Sequence, residues 1–100
     1  LSPVAAIWFY HPFHHSEKLA EQDQGLLLLN HLKQRSDQQW HEYIERSIEG
    51  WTRHRQIIAR FGRFPHRNHI LRRKSTLDEK QFLSKDGQSF GQGPRLVKDN

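Results

Sequence analysis

The chain has 100 residues, 34% of them hydrophobic, and a formal net charge of +5 at pH 7. It contains no cysteine, which excludes disulfides and thiolate ligands. Its longest apolar runs fall far short of the roughly 20 residues that a membrane-spanning helix needs, and residues 1–10 lack the basic start of a signal peptide. This length allows one domain with a thin core. A cytoplasmic protein without a membrane span is therefore predicted.

The first two predicted helices lie on either side of Pro12. Pro3 suits a first helical turn. The apolar run 4–9 fits either a buried helix or a strand, and the helix is favoured. Pro12 is expected to end that helix because it lacks an amide hydrogen. Ser16 is predicted to cap a second helix from Glu17 to Gln34, with Glu17 in its first turn. The main apolar stripe of that helix is Leu19, Leu26, Leu29 and Leu32, which Leu27 and Leu28 widen. This width predicts burial on more than one side.

The third predicted helix follows the cap signal Ser36-Asp37 and runs from Gln38 to Phe61. Its apolar face is Trp40, Tyr43, Ile44, Ile48, Trp51, Ile58 and Phe61, and Gly50 lies inside it as a potential kink. Gly62 is expected to end the helix in a left-handed conformation, because glycine has no Cβ to clash there. Pro65 prevents the helix from continuing. Phe61 and Phe64 are predicted to be buried on the two sides of this bend.

A capping box predicts the last helix. Thr76 is followed three residues later by Glu79, so that each side chain can bind the backbone amide of the other residue. We expect this helix from Leu77 to Ser84. Residues 1–84 then form the helical domain, and residues 85–100, rich in Gly, Ser, Pro and Gln, form a flexible tail.

Two motifs carry a family resemblance. The stretch FGRFPHRN at 61–68, followed by the residues up to Leu83, and the stretch HPFHHSEKLAEQ at 11–22 resemble the bacterial family called domain of unknown function nine-two-four. The resemblance implies an all-α fold, a tetratricopeptide-like stack of antiparallel helical hairpins. It also implies that this chain is truncated, the C-terminal part of a larger family domain. It implies no activity. Arg72 stands where the family usually has glycine. If that glycine needs a positive φ, Arg72 is strained or the turn differs.

One segment of the chain carries basic residues without acidic ones. Between Gly50 and Leu77 lie Arg53, Arg55, Arg60, Arg63, Arg67, Arg72, Arg73 and Lys74. A run of one sign is typical of contact with an anion or an acidic partner. Nucleic-acid binding through this Arg53–Lys74 segment is one alternative function. The plainer interpretation is a solvated helix face.

The candidate binding site combines both motifs. His15, Ser16 and Glu17 are adjacent, and neighbours on one helix point about 100° apart, so they form no relay by themselves. Together with groups from the second motif they could hold an anion; these groups are Arg63, His66, Arg67 and Asn68. The structural interpretation is that Glu17 pairs with Arg67 or Arg63. It predicts that Arg67 matters more for stability than Arg73.

The sequence predicts no metal site and no cofactor. His66 and His69 are three residues apart and His14–His15 could add ligands, but there is no HExxH motif and no suitably spaced acid. We expect a binding or scaffold module that is not an enzyme and that binds an unknown protein or anionic ligand. Self-association of the chain is a further hypothesis. The competing function is an enzyme or small-anion receptor that uses His15–Glu17 and His66–Asn68.

Overall fold

The computed structural model of the chain describes residues 2–86, and every regular element within that range is a helix. The predicted all-α class is therefore confirmed. The chain divides into two compact units at the bond between Arg63 and Phe64, and each is described by itself. Most of the predicted tail, residues 87–100, lies outside the described residues.

Helix α1 spans Pro3–His14. The Ser2 hydroxyl accepts a hydrogen bond from the Ala5 amide at 3.2 Å, and Pro3 occupies the first position, where no amide hydrogen is needed. The prediction that Pro12 ends this helix is wrong, since the helix continues to His14. In the last turn a proline removes only one bond of the ladder, and the His15 amide still donates to the His11 carbonyl at 3.0 Å.

Helix α2 spans Leu19–Gln34, and its start differs from the prediction. Ser16 is not its cap, and Glu17 is not in its first turn. The Ser16 hydroxyl instead accepts from the Lys18 amide at 3.0 Å, which closes a short turn before the helix. Lys18 is the capping residue by backbone geometry, and its carbonyl accepts the first helical bonds. The sequence does not distinguish these two roles, because a serine hydroxyl can accept a backbone amide hydrogen bond either as a helix cap or in a short turn.

Helix α3 spans His41–Phe61, preceded by a 3₁₀ turn over Gln38–Trp40. The α-helix is continuous through Gly50. Gly62 follows it with φ of 76°, and its amide donates to the Ile58 carbonyl at 2.8 Å, which confirms the predicted left-handed ending. Phe61 is only half-buried.

The three helices of the first unit share one core. Its buried members are Ala6, Ile7, Leu29, Leu32, Ile44 and Trp51. The predicted stripes are partly wrong at their margins, where Leu19, Leu27 and Tyr43 are exposed and Ile57 is buried. Only α1 and α3 contact α2 extensively, so α2 buries one stripe and Leu27 points away from it.

Within residues 64–86 the second unit contains one α-helix, α4, which spans Leu77–Asp86 and so ends two residues beyond the predicted Ser84. The predicted capping box is confirmed. The Glu79 amide donates to the Thr76 hydroxyl at 3.0 Å, and the Thr76 amide donates to the Glu79 carboxylate at 2.9 Å. Before the helix, Phe64 is fully buried and begins a 3₁₀ turn over Pro65–Arg67.

Arg72 has a φ of 57°, and it is the one non-glycine residue with a left-handed backbone in the part of the chain that the structure describes. The Arg72 amide donates to the His69 carbonyl at 3.3 Å, and the Arg73 amide donates to the Asn68 carbonyl at 2.8 Å. This pair of bonds is the Schellman motif, which usually has glycine at the left-handed position. The strain expected from the sequence is therefore present at Arg72.

Candidate functional site

The first motif is held together by Gln22. Its side chain is 1% exposed, and its amide nitrogen donates to the carbonyls of His14 and Ser16, both at 2.7 Å. One carbonyl lies at the end of α1 and the other in the turn that follows. Because the last carbonyls of a helix have no partner within it, the Gln22 side chain supplies hydrogen-bond donors where α1 ends.

Next to this turn lies a group of aromatic rings that we call the histidine cluster. It consists of His11, His14, His15 and His54. The His14 ring stacks on the Trp51 indole with centroids 4.6 Å apart and planes at 5°. The edge of His54, on α3, meets His14 at 4.2 Å. The tertiary structure therefore brings half of the chain's eight histidines together.

Two members of the histidine cluster have their ring nitrogens assigned by backbone contacts. His11 Nδ1 lies 3.0 Å from the Ile7 carbonyl, and His54 Nδ1 lies 2.9 Å from the Gly50 carbonyl. Since a carbonyl oxygen only accepts, Nδ1 carries the hydrogen in both rings. In a neutral imidazole Nε2 then keeps the lone pair.

The second motif forms a hydrogen-bond network centred on Asn68, which is 2% exposed. The Asn68 amide nitrogen donates to the Ser75 hydroxyl at 2.9 Å and to the Glu79 carboxylate at 3.1 Å. Arg73 Nε donates to the Asn68 oxygen at 3.0 Å, and its Nη2 donates to the Phe64 carbonyl at 3.1 Å. The network thus ties the loop before α4 to the capped start of that helix.

Several cations of the basic segment have partners within their own unit. Arg55 Nε donates to the Asp23 carboxylate at 2.7 Å, and this hydrogen bond, together with the opposite charge, raises the pKa of Arg55. The guanidinium of Arg60 lies 4.5 Å from the Phe61 ring, and that of Arg67 lies 4.6 Å from the Phe64 ring. The eight basic residues are divided between the two units, and nucleic-acid binding through the Arg53–Lys74 segment stays a prediction.

The seven predicted binding residues are also divided between the units. His15, Ser16, Glu17 and Arg63 belong to the first unit, and His66, Arg67 and Asn68 belong to the second. His15 is exposed, whereas His66 and Asn68 are buried. Convergence of the two motifs on an anion stays a prediction. The sequence predicts that Arg67 contributes more to stability than Arg73. The geometry favours the opposite order, because Arg73 makes two of the hydrogen bonds in the network centred on Asn68.

A cavity of about 220 Å³ lies elsewhere in the first unit. It is lined by Pro3, Leu32, Arg35, Ser36, Asp37 and Trp40, which include none of the predicted site residues. Arg35, one of these lining residues, donates to the Tyr10 hydroxyl at 3.3 Å. This cavity therefore adds no support to the candidate anion site.

Sequence reasoning missed the histidine cluster. The four-residue spacing from His11 to His15 was a usable signal, since it places two side chains on one face of a helix. No local pattern could have added His54, which comes from α3. Among the residues that the structure describes, no three His, Cys, Asp or Glu side chains are placed together to hold a metal ion.

Three further findings bear on function. None of the helices formed by residues 2–86 combines the length and apolar character that crossing a membrane requires. A family model described as bacterial protein of unknown function matches residues 1–87. Comparisons with curated proteins and with solved structures found no match.

Proposed function

The chain belongs to the bacterial family of unknown function DUF924, and from this premise we propose that it is a helical binding or scaffold module with no chemistry of its own. The architecture that we propose for it is the tetratricopeptide-like hairpin stack. Its partner is a protein, and the place of action is the cytoplasm. Helical hairpin modules bind partners through faces of their helices rather than through reactive side chains.

The observation that carries this proposal is a pair of exposed aromatic side chains on α1. Trp8 is 69% exposed and Phe9 is 68% exposed, although Ala6 and Ile7, just before them, are buried. Large aromatic residues are enriched in the centres of protein interfaces, because they bury much apolar area at a small cost in side-chain entropy. Trp8 and Phe9 are therefore the proposed contact residues.

The polar residues of the two motifs support a module without catalysis. Gln22 uses its amide nitrogen on two carbonyls, and Asn68 uses both ends of its amide within its unit. Groups engaged in this way hold loops and helix ends in place. A structural role accounts for both motifs without a substrate.

The test is site-specific crosslinking from position 9 in cells, with a photoreactive phenylalanine analogue. Gln24, exposed on α2, is the control position. The captured protein is then purified, and its affinity is measured for the wild type and for Trp8→Ala. A binary complex weakened at least tenfold by Trp8→Ala is expected. Equal crosslinking from both positions, or an affinity that Trp8→Ala leaves unchanged, would contradict the proposal.

The small-anion receptor or enzyme that uses His15–Glu17 and His66–Asn68 is the alternative to be tested beside it. Arginine is the favoured side chain for binding phosphate and carboxylate. This alternative predicts that inorganic phosphate raises the melting temperature of the wild type and that Arg67→Ala removes the effect. The Arg46→Ala variant serves as control, because Arg46 is an exposed residue paired with Glu42 on α3.

A further inference from the structure

Two imidazole rings at one end of α1 have the arrangement of a metal chelate. His11 and His15 are separated by one helical turn, and their ring centroids are 5.4 Å apart. Histidines four residues apart on a helix face the same side, which is the spacing that zinc-binding helices use. The two ring planes are 29° apart, and imidazole nitrogens coordinate in the ring plane. A shared ion therefore lies at the ring edges, where bonds of about 2.0–2.1 Å reach both nitrogens once the His15 ring turns about its side-chain bonds.

The His11 ring is held in the state that a metal ligand needs. Its Nδ1 donates to the Ile7 carbonyl, so Nε2 is the coordinating nitrogen. A backbone carbonyl on the second ring nitrogen is the usual outer contact of a metal-bound histidine, because it fixes the tautomer and the ring orientation. The Trp8 ring stacks on His11 at 4.8 Å, and the edge of Trp51 meets it at 5.8 Å. These contacts restrict rotation of the ring before an ion arrives.

The second ring lies where an ion can approach. His15 is exposed, and its backbone still follows the helix, since its amide donates to the His11 carbonyl. His14 lies between the two in sequence but is 9% exposed and stacked on Trp51. His14 therefore packs against the core, while His11 and His15 supply the ligands.

We propose that His11 and His15 form a two-histidine site for a borderline divalent ion: Zn²⁺, Ni²⁺ or Cu²⁺. Imidazole nitrogen favours these ions over Mg²⁺ and Ca²⁺, which prefer oxygen ligands. Within residues 2–86 no three His, Cys, Asp or Glu side chains are arranged to hold one ion, so water completes the coordination. The site is consequently open and exchangeable, and it binds more weakly than a closed four-ligand structural zinc site. This site does not depend on the proposed binding of a protein partner.

The proposal is tested by titrating the full chain, without an affinity tag, with Zn²⁺ and separately with Ni²⁺. The wild type is expected to bind one ion at this site, and His11→Ala and His15→Ala are each expected to weaken binding at least tenfold. Two exposed histidines outside the cluster, His31 and His69, provide controls that are expected to leave binding unchanged. Because His11→Ala also removes ring contacts, the His15→Ala variant, at an exposed position, decides the outcome if His11→Ala fails to fold.

A second readout locates the ion directly. Paramagnetic Ni²⁺ is expected to broaden the NMR signals of the His11 and His15 rings at concentrations that leave those of His31 and His69 sharp. The proposal is overturned by an absence of binding at millimolar Zn²⁺, by equal broadening of all four rings, or by an affinity that His15→Ala does not change.

Discussion

Gln22 joins the end of α1 to the turn that precedes α2, and its contribution can be measured separately from that of its neighbours. Replacing it with alanine leaves two carbonyl groups, those of His14 and Ser16, without their donor. An unsatisfied buried polar group costs about 1–3 kcal/mol. Gln22→Ala is therefore expected to lower the free energy of unfolding by that amount.

Gln24 is the matched control, because it is an exposed residue of the same helix. Gln24→Ala is expected to change the free energy of unfolding by less than about 0.5 kcal/mol. Urea unfolding measures both. Equal effects of the two variants would show that the Gln22 hydrogen bonds do not hold the turn.

Arg72 occupies a left-handed conformation that suits glycine better, with a φ of 57°. A side chain in this region costs about 1–2 kcal/mol, of which part is offset because glycine loses more entropy on folding. Arg72→Gly is thus expected to raise the free energy of unfolding by about 1 kcal/mol. Arg72→Ala removes the same charge but keeps Cβ, and it should give no gain. Thermal unfolding distinguishes them, and a similar gain from both would assign the effect to charge rather than to the backbone.

Arg73 and Arg67 lie in the same loop region but make different contacts. Arg73 donates to the buried Asn68 oxygen and to the Phe64 carbonyl, whereas Arg67 lies over the Phe64 ring. Arg73→Ala removes the Arg73 donor from the buried Asn68 oxygen, whereas the Phe64 carbonyl keeps the Arg67 amide at 3.0 Å, and it should cost about 1–3 kcal/mol. Arg67→Ala loses a cation–π contact of about 0.5–1 kcal/mol. If chemical denaturation shows that Arg67→Ala lowers the free energy of unfolding more than Arg73→Ala does, the prediction made from the sequence is right.

Two glycines lie inside helices, and replacing them with alanine is expected to have opposite effects on stability. A Cβ on Gly25 of α2 would lie 2.9 Å from Phe13 Cβ and 3.2 Å from Trp51 Cζ3. A Cβ on Gly50 of α3 would meet no atom closer than an Arg53 nitrogen at 3.9 Å. Gly25 is therefore where side chains of α1 and α3 approach the α2 backbone, and Gly50 has no such role.

Alanine at these positions separates helix propensity from packing. Gly50→Ala should stabilise the protein by about 1 kcal/mol, which is the difference in helix propensity. Gly25→Ala gains the same propensity but crowds Phe13 and Trp51, and it should give a net loss of about 1–2 kcal/mol. Melting temperatures of the two variants compare these terms. A stabilised Gly25→Ala would mean that the three helices are not packed this closely.

The net charge of +5 belongs to the molecule as a whole, and it bears on the nucleic-acid alternative. Arg55 is paired with Asp23, and Arg73 is engaged in the Asn68 network, so fewer cations remain for phosphates than the sequence suggests. Binding to a short DNA or RNA strand is therefore expected to be weak. It should disappear between roughly 50 mM and roughly 200 mM salt, as counterion release requires. Fluorescence anisotropy measures it, and tight binding that persists at the higher salt would favour the nucleic-acid function.

Local signals determined much of this protein from its sequence. The reciprocal bonds of Thr76 and Glu79 and the left-handed Gly62 each depend on residues within five positions along the chain, where spacing fixes geometry. The left-handed Arg72 was expected only through the family resemblance, which has glycine at that position. Local signals failed at Ser16 and Pro12. A serine hydroxyl can close a turn as well as cap a helix, and a proline near a helix end removes only one hydrogen bond.

Only the tertiary structure decided which apolar residues are buried and which polar groups meet. Leu27 and Tyr43 carry the same periodic signal as their buried neighbours, but helix faces are covered only where another helix packs, and periodicity does not say where that happens. His54 joins the histidines of α1, and Asn68 joins Glu79, because folding places separate segments side by side. Contacts of this kind arise from the packing of whole helices and loops, which no short window of sequence contains.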